Sequence, residues 1–158
     1  MSQPSFSDRK GREYFPRLDF VKLRRIREIG VDLGNVEELG KAWAGLLVDD
    51  LKALDVIWLA SRRDDITADD FQSAMDGDTL EAAREALRQA IVNFTPPARR
   101  ATAEVATQKV MEGYLAAVAD AERQVREIVA TGLENAKQHG MRPPELPALL
   151  ATSTINGV

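Results

Sequence analysis

Apolar residues recur at three- and four-residue intervals along most of this chain, and the stretch that breaks this rhythm lies near its start. Residues 4–18, PSFSDRKGREYFPRL, predict a short β-hairpin instead. Asp8-Arg9-Lys10-Gly11 supplies the turn, with Gly11 free to adopt a left-handed conformation, and Pro16 makes the second strand an edge. Asp19 is the expected N-cap of a first helix whose Phe20, Leu23, Ile26 and Ile29 share a face and which ends near Gly30. Asn35 with Glu38 has the spacing of a capping box for a second helix carrying Leu39, Trp43, Leu46 and Leu47. Asp49 or Asp50 opens a third helix, with Leu51, Leu54, Ile57 and Trp58 as its apolar face. Thr67 with Asp70 caps a short fourth helix containing Phe71 and Met75. Asp78 with Glu81 caps a fifth, on which Leu80, Leu87, Ile91 and Phe94 follow helical spacing until Thr95-Pro96-Pro97 stops it.

Residues 98–139 form the longest predicted element. Val110, Met111, Tyr114, Leu115, Val118, Val125, Ile128, Val129 and Leu133 fall on one stripe at about 100° per residue. Glu122 interrupts the stripe, and Gly132 lies on it, where a second backbone could come close. Some forty helical residues would extend about 60 Å, more than the preceding bundle is expected to cover. The predicted fold is therefore mainly α. A small N-terminal β-hairpin packs on a helical bundle (residues 1–97), a long C-terminal amphipathic helix follows (98–140), and a flexible tail with three prolines closes the chain (141–158).

Composition narrows the function. The 44% hydrophobic and 29% charged residues are those of a globular chain rather than a disordered one. The start has no apolar signal-like core, so the cytoplasm is the expected compartment. With no cysteine, disulfides, thiolate metal ligands and thiol catalysis are all excluded. The net charge of −4 is unevenly spread. Residues 1–31 hold eight Lys/Arg against four Asp/Glu, a balance of +4, whereas residues 32–97 hold six against fourteen, a balance of −8. A nucleic-acid binder would have to overcome that acidic middle, since phosphate affinity comes from accumulated positive charge. Docking of the basic end on acidic helices uses the same polarity more simply.

Three local patterns raise a chemical reading. Lys22, Arg24, Arg25 and Arg27 cluster on the first helix, but they are spread around its circumference, whereas a recognition helix aims its charges at one groove. The stretch RRDDITADDFQSAMDGD resembles the exit of a calcium loop. Placing Asp70 at its last ligand position, however, puts Leu59, Ser61 and Arg63 where oxygen ligands belong, so acids at helix N-termini explain it better. His139, the sole histidine, precedes Gly140 at the end of the long helix, where it reads as a capping cation. No phosphate loop, nucleophile elbow, paired-histidine metal motif or dinucleotide loop occurs. The expectation is a non-enzyme with no cofactor, no metal, no nucleic-acid partner and no membrane contact. What remains is the long stripe. Val110, Met111, Tyr114, Leu115, Val118, Val125, Ile128 and Val129 are the candidate partner-binding residues, facing either the chain's own bundle or the helix of another chain.

Residues 5–97 resemble the tail assembly chaperones of long-tailed bacteriophages and prophages. The likeness rests on an ordered series: SFSDRKGREYFPRL, then LRRIREIGVDLG, LDVIWLASR, ITADDFQSAMDGDTLEAAREAL and VNFTPP. The resemblance implies a small, mainly helical, non-enzymatic factor acting in the host cytoplasm. It would keep the tape-measure protein soluble until tail-tube subunits assemble around it. The family pattern ends near Pro97, so placing partner binding on the long helix is an extension of it. A structural alternative shares every residue pattern: a small virion or scaffold subunit that self-associates through the long helix as a coiled coil. A DNA-binding regulator built on the basic helix is the third reading.

Overall fold

The computed structural model describes residues 3–140; the tail expected over 141–158 lies outside the described residues. The order of elements is β1 (Phe6–Ser7), β2 (Glu13–Tyr14), α1 (Phe20–Glu28), α2 (Leu39–Val48), α3 (Asp50–Ser61), α4 (Ala68–Ser73), α5 (Gly77–Phe94) and α6 (Pro97–Gln138). The mainly helical architecture with its antiparallel hairpin and long last helix is the one the periodicity predicts.

The hairpin pairs Phe6 with Tyr14 and Ser7 with Glu13. Its turn closes through Asp8, whose carboxylate accepts from the Lys10 and Arg12 backbone N–H groups, while Gly11 takes a φ of 74°. Two-residue strands are too short to stand alone. They are held from outside: Arg9 N donates to the Ala74 carbonyl, Arg17 N to Ala60, and Arg63 Nη1 to Glu13. Phe6 stacks on Tyr14, and Tyr14 and Trp58 each bring a ring to within 5.2 Å of Phe71 on α4. This aromatic cluster joins the hairpin to α3 and α4.

Helix α3 is the hub, packing against α1, α2, α4 and α5. Its buried residues are Ala53, Val56, Ile57, Ala60 and Ser61; of the predicted face Ile57 is buried, Leu54 and Trp58 are half-buried against the core, and Leu51 alone is exposed. A helix with neighbours on several sides needs small side chains at the closest approaches, and the bulky Leu51 falls outside them. Leu39, Trp43, Leu46 and Leu47 of α2 are all buried as expected. On α1, Ile26 is buried and Leu23 packs on the core, but Phe20 and Ile29 are exposed because the short helix overhangs the core at both ends.

Caps decide where helices begin. Asp19, Asp49 and Thr67 accept from the backbone three residues on, as the sequence suggests. The other two expectations fail. Asn35 turns its oxygen to Glu37 N, leaving α2 without a side-chain cap, and α5 is capped by Asp76 and Thr79 in a reciprocal box instead of by Asp78 and Glu81. Gly30, with φ 85°, ends α1 in the predicted left-handed position.

The chain divides into two compact units, Met1–Leu115 and Ala116–Val158. The bundle therefore extends through the first turns of α6, beyond the boundary at residue 97 that the proline pair suggests. Arg84 on α5 is a deeply buried charge, 2% exposed. It donates to the Leu46 and Leu47 carbonyls at the end of α2 and pairs with Asp50 and Glu81. No helix is long and apolar enough to cross a membrane among the described residues.

Candidate interaction surface

Thr95 closes α5 by donating its hydroxyl to the Ile91 carbonyl at 2.8 Å, and Pro97 starts α6, where a missing N–H costs nothing. The first turns of α6 belong to the bundle. Ala103 and Thr107 are fully buried, the Thr107 hydroxyl donating to the Ala103 carbonyl. Val110, Met111 and Tyr114 are half-buried against the bundle's own core. Val110 lies beside Gly40 on α2, where a Cβ would stand 3.7 Å from Val110 Cγ2, at ordinary contact distance. Of the two placements the stripe left open, these three candidate partner-binding residues take the inward one and cover the bundle's own core, a choice that helical periodicity does not make. Leu115, the last residue of this unit, is exposed.

The second unit presents a different surface. Val118, Val125, Ile128, Val129 and Leu133 are exposed along one helix, from 39% for Val118 to 71% for Ile128. The turns between them are held by local polar pairs: Asp120 accepts from Arg123, and Glu122 lies 3.8 Å from Arg126. Glu122, the acid that breaks the stripe, is thus partly neutralised by its own helix. Such exposed pairs contribute only a few tenths of a kcal/mol each. Nothing lies within 4 Å of a Cβ placed on Gly132. The helix closes with the His139 backbone N–H on the Asn135 carbonyl, its Nδ1 2.9 Å from the same oxygen, and Gly140 at φ 62°.

Other candidate sites resolve into structural contacts. Lys22 reaches the Ala60 carbonyl at 2.7 Å, satisfying the C-terminus of α3; burial pushes its ammonium below the usual lysine range. It is therefore not a solvated charge. Arg27 pairs with Asp32 through a two-oxygen contact, which leaves Arg24 and Arg25 as the cations of α1 outside any ion pair among the described residues. No cluster of three or more His, Asp or Glu able to hold a metal occurs among the described residues. Two acids of the calcium-like stretch have structural partners, Asp65 holding Arg63 at 2.6 Å and Asp76 capping α5.

The buried polar centre that sequence reading missed is Asp8. Burial alone would push its carboxyl up, but donors from the Arg12 backbone and side chain, the Tyr14 hydroxyl and Lys10 N outweigh it and hold it below the usual range. Tyr14, buried against that carboxylate, is pushed up to about 12. A DRKGR turn followed by a tyrosine was the available signal, since Asp8, Arg12 and Tyr14 share one face of the hairpin. The buried side-chain atoms left without a partner, Trp43 Nε1, Ser61 Oγ and Arg100 Nε, sit on three different helices and do not converge on a pocket. The salient surface is the apolar one on α6. Comparison with protein-family models, curated proteins and solved structures finds no match to this chain.

Proposed function

We propose that the protein is a tail assembly chaperone of a long-tailed phage or prophage, a non-enzymatic factor that binds the tape-measure protein and keeps it soluble until the tail tube forms. One observation carries the reading: a continuous helix exposes Val118, Val125, Ile128 and Val129 to water. A chain that leaves large apolar side chains uncovered at helical spacing is suited to bury them against a second helix, reversibly. Each Å² so buried contributes roughly 25 cal/mol before association costs are subtracted. The ordered resemblance over residues 5–97 supplies the identity of the partner. The candidate surface is accordingly narrower than the whole stripe, because Val110, Met111 and Tyr114 already pack on the bundle.

The test is co-expression with the long helical protein encoded in the neighbourhood, read as solubility and co-purification. The expected result is rescue by the natural chain and loss of rescue by Val125→Asp with Ile128→Asp, at unchanged bundle stability. If the partner stays insoluble while the chain runs as an oligomer that survives dilution, the virion or scaffold reading replaces the chaperone one.

A further inference from the structure

A second exposed apolar surface lies on the first unit, away from anything the proposed function uses. Phe20, in the first turn of α1, is 79% exposed, yet its ring is ordered edge-to-face on Phe94 at the end of α5, 5.3 Å away and at 75°. Val21 beside it is also exposed. Next to this pair runs a groove walled by Pro16, Leu18, Ala90 and Phe94, with Arg17 and Asn93 at its polar edge. Scattered single apolar residues need no explanation, but an exposed aromatic pair beside an apolar groove makes a contiguous patch.

The rim of the patch is positive. Arg17 lines the groove and is bonded only to the neutral Gln3 amide. Arg100 reaches the same edge by donating to the Asn93 carbonyl at 3.3 Å. Arg24 lies one turn along α1 from Phe20, and Arg25 one turn from Val21. None of these four guanidiniums forms an ion pair among the described residues. The acids on α1 and its cap are Asp19, which accepts from Lys22 N, and Glu28 at the far end. Arg17 at the groove, Arg100 at its Asn93 edge, and Arg24 and Arg25 beyond the exposed Phe20 and Val21 thus flank the apolar patch with unneutralised charge, in a chain whose net charge is −4.

We propose that this groove docks an acidic peptide segment of a partner protein, one that carries an aromatic or large aliphatic anchor flanked by aspartate or glutamate. The anchor fills the groove against Phe20 and Phe94, and the flanking carboxylates meet the planar guanidinium forks of Arg17, Arg24, Arg25 and Arg100. Charge of this kind sets orientation and encounter rate, while the anchor contributes most of the affinity. A nucleic acid fits less well. Its affinity grows with the number of phosphates neutralised, and four arginines beside Asp19 and Glu28 form a small footprint, whereas the apolar groove walls match a side chain. The inference is independent of the role given to α6.

The experiment selects binders from a displayed random-peptide library on the immobilised full chain, with counter-selection on the Phe20→Ser variant. Enriched peptides are then measured by fluorescence anisotropy. The expected outcome is enrichment of Asp and Glu around a Phe, Trp or Leu anchor. Affinity should fall about tenfold or more in Phe20→Ser and in the Arg24→Glu, Arg25→Glu double variant, and should weaken as salt rises. The arginine variant changes only exposed charges, so it reads the proposal even if Phe20→Ser disturbs folding. The proposal is overturned if no peptide is enriched over the counter-selection, or if enriched peptides are basic or uncharged. It is equally overturned if a labelled single-stranded oligonucleotide binds the same residues more tightly, or if sedimentation shows that Phe20 mediates association of the chain with itself.

Discussion

The guanidinium of Arg84 donates twice to the carbonyl of Leu46, from Nε at 3.1 Å and from Nη2 at 2.9 Å. The bond ties the middle of α5 to the last turn of α2, whose carbonyls have no partner within their own helix. Asp50 and Glu81, both reaching solvent, balance the charge. Because the cation is 2% exposed, its removal strands buried carbonyls and leaves a cavity. Arg84→Met is expected to cost about 2–4 kcal/mol, and Arg84→Lys nearly as much, since an ammonium cannot fork onto one oxygen and still reach Asp50. The check is a lowered urea midpoint at unchanged slope.

Stability should fall at both ends of the pH scale through the hairpin. The Asp8 carboxyl is depressed in the folded chain, so its contribution is complete above its ordinary value of 3.8 and disappears as pH falls through the lower folded value. Tyr14 behaves in the opposite sense. Its hydroxyl is raised to about 12, so its contribution is complete below 10 and is lost as pH rises between 10 and about 12. Asp8→Asn should flatten the acid limb and lower neutral-pH stability by roughly 1.5–3 kcal/mol, the range for a hydrogen bond to a charged group. Thermal melts across pH would test both limbs.

The two parts of α6 should respond in opposite ways to the same substitution. Val110→Asp places a carboxylate against the core and Gly40, and should destabilise the first unit by about 2–4 kcal/mol. Val125→Asp, at an exposed position, should change stability by no more than about 0.5 kcal/mol. Equal effects in chemical denaturation would contradict this division of the helix.

Cap assignment gives a further contrast. Asp76→Ala removes one half of the box that starts α5 and should cost about 1 kcal/mol, whereas Asp78→Ala, at an exposed position that makes no cap bond, should be close to neutral. Reversal of that order in melting temperature would relocate the start of the helix.

These contrasts mark how much could be read from residue order. Asp19, Asp49 and Thr67 were legible because a cap is a local bond over three residues. Asp76 was not, because Asp78 and Glu81 have the same spacing, and the choice depends on how the chain leaves α4, where Met75 N closes on Gln72. The buried face of α3 was misread through Leu51. Periodicity weights bulk, while a helix packed on several sides is selected for small residues such as Ala53 and Ala60. Along α6 the apolar stripe continues across Leu115 without a change of character, so the spacing assigns Val110 and Val125 to one face and says nothing of what covers either. Arg84 has no sequence signature at all: an arginine among glutamates on an amphipathic helix ordinarily reads as a surface residue.

The attachment of the hairpin to distant partners has a consequence for the order in which the protein can be made. Tyr14 leaves the ribosome long before Phe71 and the helix α5 against which β1 packs. At about 5–20 residues per second, the interval between Tyr14 and Phe94 is roughly 4–16 s. Until α4 delivers Phe71, Phe6 and Tyr14 belong to a nascent strand pair with no hydrophobic floor, too short to persist alone, and the contact of β1 with α5 comes later still. Helices α1 to α4 can form as they emerge, but the first strands must wait for α4 and then α5, so the earliest segment synthesised is among the last to settle, and the core closes only when Ala103 and Thr107 of α6 reach it.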